Sequence, residues 1–594
     1  MGGVNPPIVF KQKQIFDLHF PYIEGGIPVM KIIVDNSYSK IVDIAEEDEK
    51  ILEIIDSTLS CYQPGYQFSD AYQMGVWDGK VRFLNKRNYT FPSGLLNVVK
   101  EVIPESVEIV YNITPFDIEV PEEINLLEPN AEKGYITLRD YQRNAVEEAL
   151  KKTRGIINVA TNGGKTEIAA GIIQLLYSKL KKGQTILFVT HNKEIFHQSA
   201  KRLEKRLDVE IGKVGDGYWN VKPVTVVMIP TVSRYIKKPK IQPLKPQQYK
   251  GEFKAIKLLV DLVGKNKLTA DGIRNLVSVL EKENDSTCML AIDILGRIYD
   301  TGNYDQEFKK LRDALKEYEM KRQSKSFEKY NKTMDLLKSA ICFIGDECHH
   351  ASSSTWYDTL MLCENAVYRF GLTGTVDKSD EVNYLRLLGC MGEIVYKISN
   401  DFLIKRGYSA KPTIYFTEIK KPELKSDNWL RLYKEGIVEN EYRNRKIAEQ
   451  VAKHCEQGDS CLVIVNHTTH GRKLKELIEE KGVLAEFTHG NRSSFDRDRL
   501  LNELRDGKLQ CLIATTILDE GVDVSNIDAL WLAAGGRSMR QVLQRIGRGL
   551  RVGKNKNSVS VYDFLDLMHP LLAKHTKERY MIYKKEKFKI KKLE

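Results

Sequence analysis

The residues best suited to chemistry begin with a lysine and a threonine that follow two glycines. Residues 155–166 read GIINVATNGGKT, and an apolar helix pattern covers residues 167–176. A buried strand, a glycine-rich turn and a helix N-terminus in this order aim backbone N–H groups at a phosphate. The segment therefore predicts a nucleotide phosphate loop, in which Lys165 reaches the β- and γ-phosphates and Thr166 ligates magnesium. The loop itself comprises Asn162, Gly163, Gly164, Lys165 and Thr166.

The phosphate loop departs from the full G-x-x-x-x-G-K-T pattern at one position. Val159 stands where that pattern has its first glycine. Asn162 lies inside the turn, and asparagine is the residue that best tolerates left-handed backbone after glycine. A chance GKT at a helix start is the alternative interpretation of this segment taken alone.

A second candidate for phosphate chemistry is the pair of carboxylates Asp346 and Glu347. They follow the apolar run Ile341–Gly345, which has the pattern of a buried strand. Adjacent carboxylates at a strand end can divide the work of hydrolysis, with one holding magnesium and the other activating the attacking water. We assign the metal to Asp346 and the water to Glu347.

A third candidate is the arginine-rich segment QRIGRGLR at residues 544–551. Phosphate hydrolysis needs positive charge on the γ-phosphate in the transition state, and arginine fingers supply it. Arg548 and Arg551 are the predicted fingers, with Gln544 beside them in the catalytic set. A solvated basic helix is the alternative for this segment on its own.

Two series of short apolar strands alternate with amphipathic helices and would position these groups. The first includes Gly155–Val159, Thr185–Val189, Thr225–Ile229, Ile341–Ile344 and Arg369–Leu372, and the second includes Leu462–Val465, Ala485–Thr488, Cys511–Ala514 and Ala529–Ala533. Such β-branched runs with helices between them indicate parallel α/β sheets. We predict two tandem α/β domains.

The domain boundaries follow from changes in this pattern and from length, since 594 residues exceed what a single core supports. The prediction is a small α+β domain (1–114), a linker (115–134), a first α/β domain (135–410), a second (411–570) and a basic tail (571–594). Residues 236–335 read as helical without strand signals, which makes them an insertion in the first α/β domain.

Composition excludes several classes of protein. Apolar residues make up 42% and charged residues 29%, as in ordinary globular proteins, and no apolar run approaches the length of a membrane span. The nine cysteines are scattered without a CxxC pair, which indicates reduced core thiols and no disulfide framework or zinc site. No secretory signal pattern is present, so we expect a cytoplasmic protein without membrane partners.

The net charge of +11 is concentrated in two segments. Residues 236–335 hold 21 Lys and Arg against 15 Asp and Glu, and residues 574–594 hold 9 against 3. Clustered cations attract polyanions through counterion release, which favours a nucleic-acid partner. The alternative is a solvated lysine-rich helix face in each segment. For the tail, the alternatives are a basic helix lying along duplex DNA and a solvated end.

Five motifs occur in the order found in superfamily 2 helicases of the DExH type, and the chain resembles that family over residues 138 to about 567, less the insertion. The motifs are GGKT at 163–166, DECH at 346–349, LTGT at 372–375, ATTILDEGVDV at 514–524 and QRIGRGLR at 544–551. The resemblance implies two RecA-like domains that bind ATP and Mg²⁺ between them and move along nucleic acid.

The resemblance also implies roles for residues that the motifs match. Arg139 and Gln142 resemble the adenine-reading element, Gly521 and Asp523 lie where the family meets the ribose, and Thr373 and Thr375 resemble the coupling motif. His349, followed by His350, would link the acidic pair to the second α/β domain. Contacts to the nucleic-acid backbone fall on a set from both domains: Thr190, His191, Thr231, Asn466, Thr468, Thr515 and Thr516.

The N-terminal region is similar to the small domain that precedes the motor in phage recombination helicases of the UvsW type, where it helps to engage branched DNA. The matching residues are GYQFS at 65–69, GVWDGKVRFL at 75–84 and SGLL at 93–96. Lys80 and Arg82 are the expected nucleic-acid contacts. Trp77 and Phe83 form either an aromatic stacking surface or, as we favour, part of the domain core.

The function expected from the sequence is an ATP-dependent DNA helicase or translocase that unwinds or remodels forks and junctions. The alternatives are an RNA helicase and the motor subunit of a restriction or remodelling assembly. The insertion at 236–335 is a DNA-binding arm, a protein-docking module or a neutral elaboration. We expect a monomer, because one chain completes the ATP site, and a host-cytoplasmic location if a phage encodes it.

Overall fold

The computed structural model describes residues 30–160, 162–239, 244–283, 285–409, 411–426, 428–490, 494–515, 527–536 and 558–593. The chain divides into two compact units: one consists of Arg234–Leu336, and the other of Met1–Ser233 together with Leu337–Glu594. No helix among these residues is both long and apolar enough to cross a membrane. Each unit is treated separately below.

The N-terminal domain is a small α+β fold. Four of its strands form a sheet of order β5-β2-β1-β6, with β1 and β6 parallel, and β3 and β4 form a separate antiparallel pair. Its strands are β1 (Lys31–Val34), β2 (Tyr38–Val42), β3 (Ser60–Tyr62), β4 (Lys80–Arg82), β5 (Thr90–Pro92) and β6 (Glu108–Tyr111), and its helices are α1 (Glu49–Thr58), α2 (Asp70–Gln73) and α3 (Leu96–Lys100).

The first α/β domain begins before the phosphate loop. Its first strands are β7 (Asn125–Leu127), β8 (Tyr135–Thr137), β9 (Arg154–Val159), β10 (Thr185–Thr190), β11 (Gly212–Gly215), β12 (Tyr218–Asn220) and β13 (Val224–Met228), and its first helices are α4 (Asp140–Lys152), α5 (Lys165–Tyr177), α6 (Lys193–Leu207) and α7 (Ile229–Val232). Asn192 caps α6, since its side chain accepts from the Ile195 amide at 2.8 Å.

The segment predicted as a linker, residues 115–134, is packed onto the first α/β domain. Leu126 is fully buried and Ile124 is 2% exposed, and both belong to the core of that domain. Phe116, Ile118 and Val120 pack against the same core. The prolines and acidic residues of this segment led to the prediction of a linker. Its apolar residues, which alternate with polar ones, instead pack the segment against the domain core.

The insertion is a bundle of four helices with its own core. The helices are α8 (Glu252–Val263), α9 (Ala270–Leu280), α10 (Ser286–Thr301) and α11 (Tyr304–Ser339). Residues such as Leu259, Leu295 and Phe308 are fully buried within it. The two ends of the bundle meet where Lys329 Nζ donates to Tyr235 Oη at 3.3 Å.

The rest of the first α/β domain completes its sheet with β14 (Ala340–Asp346), β15 (Tyr368–Thr373) and β16 (Ile394–Ile398), and adds α12 (Ser354–Met361), α13 (Glu381–Met391) and α14 (Asn400–Lys405). The strand order is β12-β11-β13-β10-β14-β15-β9-β16. Every neighbouring pair is parallel except β11 with β12. The central strands are buried on both faces, as the continuous apolar runs predicted.

The N-terminal domain shares a core with the first α/β domain. Val382, Leu385 and Leu388 of α13 are buried in the same cluster as the N-terminal strands. At Gly94 the two backbones approach so closely that a Cβ atom would lie 2.1 Å from the Leu388 carbonyl oxygen. The sequence predicted two separate domains, but the shared core packs them together as one structural unit.

The second α/β domain contains β17 (Lys411–Ile419), β18 (Cys461–Val465), β19 (Ala485–Thr488), β20 (Cys511–Thr515), β21 (Ala529–Trp531), β22 (Ser558–Asp566) and β23 (Lys589–Leu593), with α15 (Trp429–Tyr433), α16 (Glu441–Glu456), α17 (Thr468–Glu479), α18 (Ser494–Arg505) and α19 (Pro570–Lys585). The sheet order is β19-β20-β18-β21-β22-β17-β23, and the pairs within it are parallel. Apolar clusters cover both of its faces. The two parallel sheets confirm the predicted α/β fold.

The C-terminal segment is part of this second domain, so the expectation of a separate basic tail at 571–594 was wrong. β23 pairs with β17 as an edge strand, and Tyr583 of α19 is fully buried. The prediction considered the many lysines of this segment and overlooked its apolar residues. Four of these are buried: Leu572, Ile582, Tyr583 and Phe588. Three of the lysines, Lys589, Lys591 and Lys592, lie on this edge strand, where such charges discourage pairing with another chain.

Candidate nucleotide-hydrolysis site

Three of the predicted motifs meet at the carboxyl edge of the first sheet. The phosphate loop follows β9, the acidic pair ends β14, and Thr373 ends β15. These strands are neighbours in the order β14-β15-β9. Parallel strands present their carboxyl ends at one edge, which is where α/β proteins bind ligands. The sheet therefore gathers residues that lie more than 200 positions apart in the sequence, as Lys165 and Thr373 do.

The phosphate loop has the left-handed backbone that its sequence predicted. Asn162 has a φ of 72° and Gly164 a φ of 81°, and Gly164 is the residue that caps α5. A Cβ atom on Gly164 would lie 2.1 Å from Gln142 Nε2. Glycine is therefore required here by both conformation and space.

Gln142 is tied to the phosphate loop. Its side chain is 6% exposed, and its Nε2 donates to the Gly163 carbonyl oxygen at 3.1 Å. Its Oε1 accepts from the Arg139 amide at 2.9 Å, and the Arg139 guanidinium lies 3.9 Å from the centre of the Tyr408 ring. The arrangement couples the start of α4 to the loop. The contacts of Arg139 and Gln142 with adenine stay predictions.

Lys165 and Glu347 form an ion pair at the centre of the site. The Glu347 amide donates to Asp346 Oδ1 at 3.0 Å, and Glu347 has a left-handed φ of 49°. Three charged groups thus share a buried space. Two are acidic and one is basic.

The pKa values of the two carboxyls are moved in opposite directions. Burial raises the pKa of Asp346 to about 6, against the attraction of Lys165 and with repulsion from Glu347. Burial would also raise the pKa of Glu347, but Lys165 and His349 outweigh it and hold that pKa well below its usual value. Glu347 is therefore ionised at neutral pH, and Asp346 carries the less compensated charge.

The residues that would hold magnesium are oxygen donors. Thr166 lies in the first turn of α5, and the Asp346 carboxylate is buried beside the loop. No cluster of three or more His, Cys, Asp or Glu side chains suited to a metal occurs in the described ranges. A hydroxyl and one carboxylate suit Mg²⁺, which keeps phosphate oxygens and waters as its other ligands.

His349 connects the acidic pair to the end of β15. Its Nδ1 lies 3.3 Å from Glu347 Oε2 and 3.3 Å from Thr373 Oγ1. The Thr373 hydroxyl in turn donates to the Thr375 carbonyl oxygen at 2.9 Å. These contacts run within the first α/β domain, whereas the sequence led us to expect a link to the second. His350 instead faces His191, with ring centres 3.8 Å apart.

The predicted nucleic-acid residues of the first domain differ in accessibility. Thr190 is fully buried, and its hydroxyl donates to the Val227 carbonyl oxygen at 3.5 Å, so its side chain does not reach the surface. Its position at the end of a central strand explains this, because both faces of β10 are covered. His191 and Thr231 are half-buried and follow the neighbouring strands β10 and β13.

The second domain repeats this arrangement with β18 and β20. Asn466 and Thr468 are exposed just after β18, while Thr515, at the end of β20, is 6% exposed. Thr515 is therefore accessible to nucleic acid mainly through its backbone. The remaining predicted site residues lie outside the described residues: Thr516, Gly521, Asp523, Gln544, Arg548 and Arg551.

The N-terminal residues predicted to contact DNA are already engaged. Arg82 pairs with Asp78 and lies 3.6 Å from Asp56, and Lys80 Nζ lies 5.3 Å from the centre of the Tyr62 ring. Phe83 packs against the domain core as we favoured, whereas Trp77 is half-buried and donates its Nε1 to the Lys80 carbonyl at 3.0 Å. The sequence reasoning missed three highly exposed apolar residues: Phe68 (84%), Met74 (75%) and Val76 (80%).

A buried charge network in the second domain was also missed. Arg579 of α19 donates twice to Asp563, each time at 2.9 Å, and Tyr583 donates to the same carboxylate at 2.6 Å. Arg443 of α16 donates to Asp566 at 2.9 Å. Both arginines also donate to the chain after β21, at the Ala533 carbonyl (2.9 Å) and the Gly536 carbonyl (2.7 Å).

The network holds the chain at Ala533 and Gly536 by hydrogen bonds, and these residues precede the segment that carries the predicted fingers. The available sequence signal was weak. Arg579 lies at helical spacing from the apolar residues Leu572 and Tyr583. An arginine at a core-facing helix position indicates a buried partner, because arginine is almost never buried alone.

Comparison with known families assigns the chain in three parts. Residues 31–113 match the family "DNA helicase UvsW, N-terminal", residues 135–378 match "Type III restriction enzyme, res subunit", and residues 443–553 match "Helicase conserved C-terminal domain". The last match includes the segment with the predicted fingers. All three lie in the order that the motifs predicted.

Individual relatives have low sequence identity to this chain. Putative helicase 22 of Sulfolobus islandicus filamentous virus (isolate Iceland/Hveragerdi) is 29% identical over 267 residues, which span 42% of this chain and 47% of that protein. The ATP-dependent DNA helicase uvsW of Enterobacteria phage T4 is 21% identical over 535 residues, 87% of each chain. The crystal structure of T4 UvsW aligns over 95% of this chain and 98% of its own, with 18% identity and a TM-score of 0.40.

Taken with the site on the first sheet, the matches to the three family models confirm the family predicted from the motifs. The phosphate loop, the acidic pair and the helicase C-terminal region occur together in one chain. The N-terminal match extends the agreement to residues outside the motor. The chain belongs to the superfamily 2 helicases, as an ATP-hydrolysing helicase with the N-terminal domain of the UvsW DNA helicases.

Proposed function

We propose that this chain is an ATP-driven DNA motor that remodels branched DNA, such as forks and four-way junctions. The proposal rests on one observation: the same chain contains the Lys165–Glu347 site and an N-terminal domain that matches the UvsW family. The T4 relative, an ATP-dependent DNA helicase, matches along 87% of its length, so the similarity includes both ends of the motor.

The ATP step follows from the ion pair. Before nucleotide binds, Lys165 is held by Glu347. A γ-phosphate competes for Lys165, which frees the Glu347 carboxylate to orient and deprotonate the attacking water. His349 stays on the other oxygen of Glu347 and keeps it in place. Loss of its lysine partner also raises the basicity of Glu347 at the moment when a base is needed.

Magnesium enters this scheme through Thr166 and Asp346. Bound there, Mg²⁺ would place positive charge on the β- and γ-phosphate oxygens as the bond breaks. With a pKa of about 6, Asp346 is ionised at neutral pH, but burial makes its charge costly until a cation joins it. The buried, poorly compensated carboxylate is therefore the group that favours metal binding.

Coupling to movement passes through His349. A change at Glu347 reaches Thr373 and Thr375 along a chain of contacts of 2.9 to 3.3 Å. Arg548 and Arg551 would complete the site when the second α/β domain closes, and each closure would carry nucleic acid held by Asn466 and Thr468 past residues His191 and Thr231. The chain would act as a monomer in the cytoplasm, which is the host cytoplasm if a phage encodes it.

Steady-state ATP hydrolysis tests the proposal. Rates are measured without nucleic acid and with single-stranded DNA, duplex, a four-way junction and a matched RNA, with Glu347→Gln as the inactive control. Branched DNA should stimulate hydrolysis most strongly, and the control should lose the stimulation. Equal or stronger stimulation by RNA would refute the DNA assignment. The RNA comparison is needed because the helicase motifs contact the nucleic-acid backbone, and only the 2′-hydroxyl distinguishes RNA from DNA there.

A second candidate function is the motor of a multi-subunit restriction assembly. The match of residues 135–378 to the res subunit of type III restriction enzymes favours it, and the insertion would then bind the partner. Because Lys329 contacts Tyr235, residues 240–325 can be replaced by a short glycine-serine linker with little strain on the ends. If this variant keeps junction-stimulated hydrolysis but loses a co-purifying subunit, the assembly function is supported. If it loses DNA affinity instead, the insertion is a DNA-binding arm.

A further inference from the structure

A cavity of about 710 Å³ lies where the N-terminal domain meets the first α/β domain. Asn97, Lys100 and Tyr111 line it from the N-terminal side, and Lys152, Arg154 and Glu393 line it from the α/β side. Its volume is in the range of small-molecule sites. None of the residues assigned above to the ATP site contributes to it, whereas Ser93, Gly94 and Leu96 of the N-terminal SGLL motif line it.

Arg154 is the unusual residue of this lining. It is half-buried as a residue, and its Nη2 donates to the Asn36 carbonyl oxygen at 2.8 Å. Its Nη1 is buried without a hydrogen-bond partner in the described part of the chain, and no carboxylate there pairs with it. A buried cation without a counter-charge costs several kcal/mol, so this position favours an anion.

A second guanidinium increases the positive charge beside the cavity. Burial, followed by repulsion from Arg369, lowers the pKa of Arg154 to about 9. Arg369 is fully buried and donates to the Cys363 and Ala366 carbonyl oxygens at 2.7 and 3.1 Å. These carbonyls follow the end of α12 and stabilise Arg369. Among the described residues, Arg154 donates to one such carbonyl, that of Asn36.

The rim of the cavity is also positive. Lys100 and Lys152 are exposed, and neither forms an ion pair with a carboxylate of the described residues. Lys100 Nζ donates to the Tyr111 hydroxyl at 2.8 Å. The one carboxylate of the lining, Glu393, accepts from Asn97 Nδ2 at 3.0 Å. Three cations therefore surround a space with one acid.

This cavity is separate from the ATP site. Arg154 is the first residue of β9 and Ile394 the first of β16, so the cavity lies at the amino edge of the sheet. The phosphate loop follows the carboxyl end of the same strand β9. Six strand residues span roughly 20 Å.

We propose that this cavity is a second anion site, which binds a phosphate group between the N-terminal domain and the first α/β domain. Lys100 and Lys152 would hold the phosphate oxygens at the rim, and Arg154 would supply the buried charge behind them. The phosphate belongs to a free anion, such as inorganic phosphate or a nucleotide, or to a nucleic-acid backbone. Because both domains line the cavity, its occupant would strengthen their contact.

Thermal unfolding of the full chain with increasing inorganic phosphate tests this site. The measurements use a Lys165→Ala background, which removes the phosphate loop as a competing site. Phosphate should raise the Tm of this protein. The Lys100→Met/Lys152→Met variant should bind phosphate about tenfold more weakly, since two exposed ion pairs of ~0.5 to 1 kcal/mol each are lost. Lys151→Met is the matched control, because Lys151 is exposed on the same helix but does not line the cavity.

The Arg154→Met variant tests the contribution of the charge behind the rim. In phosphate-free buffer its Tm should equal or exceed that of the parent, since an uncompensated charge is removed. With phosphate, the increase in Tm should be lost. A Tm lower than that of the parent in phosphate-free buffer would contradict the claim that this charge lacks a partner.

The source of the phosphate is decided by repeating the titrations with a short single strand and a short duplex. If Lys100→Met/Lys152→Met weakens only the binding of free phosphate, the ligand is a small anion. If it weakens DNA binding and leaves the phosphate response intact, the backbone is the ligand. Affinities for phosphate and DNA that match those of Lys151→Met would overturn the proposal.

Discussion

Replacing Asp346 with asparagine should stabilise the nucleotide-free protein while abolishing hydrolysis. Burial raises the pKa of this carboxyl to about 6 from its ordinary value of 3.8. Each pH unit between those values corresponds to about 1.4 kcal/mol, so the ionised carboxylate costs at most about 3 kcal/mol at neutral pH. Because Glu347 and Lys165 titrate with it, we expect a gain of about 1 to 3 kcal/mol from the substitution.

The pH dependence of this effect has a definite sign. Between pH 4 and 6 the folded protein binds a proton at Asp346 more tightly than the unfolded chain does, so the wild type loses stability as the pH rises through that window. Asp346→Asn has no such loss. Its advantage should be near zero at pH 4 and complete above about pH 6.

Urea unfolding of the two proteins at several pH values measures this difference. Nucleotide and magnesium are omitted, because a bound cation would stabilise the wild-type carboxylate. Asp358→Asn serves as the control for removal of an acid elsewhere in the first α/β domain. A variant that is less stable at pH 7.5, or one whose advantage does not change with pH, would refute the view that Asp346 is a poorly compensated buried charge.

Three further predictions concern the site and its support. Glu347→Gln should lower kcat by about 10² to 10⁴ with ATP affinity retained, because it removes the base and also releases Lys165; retained turnover would refute its role. Gly164→Ala should weaken ATP binding at least tenfold, measured by nucleotide titration, since its Cβ would displace Gln142 from the loop. Asp563→Asn and Arg579→Met should each cost ~3 to 5 kcal/mol in urea unfolding, and the double variant should cost far less than their sum. Additive losses would show that the two side chains do not act as a pair.

The sequence predicted local features of the fold well. The strands before and after the phosphate loop agree with β9, β10, β14 and β15 to within one or two residues. Each is an apolar run bounded by turn residues, and that pattern depends on neighbours close in sequence. Asn162 was likewise predictable, because its left-handed turn is a property of a few residues.

Features that depend on distant parts of the chain were not predictable in this way. β9 lies between β15 and β16, and β23 pairs with β17 after more than 150 residues. Thr190 has the residue type of a phosphate contact, but its burial depends on the strands on either side of it. The partners of Arg443 and Arg579 come from β22, which no local pattern links to α16 or α19.

The shared core of the N-terminal domain and α13 has a mechanical consequence. With Gly94 against the Leu388 carbonyl, the small domain and the first α/β domain behave as one solid frame. If the N-terminal domain holds nucleic acid, as the proposed function requires, that nucleic acid is stationary with respect to the phosphate loop. Movement driven by hydrolysis would then be a displacement of the second α/β domain against this frame. The N-terminal domain would be the anchor from which each step is measured.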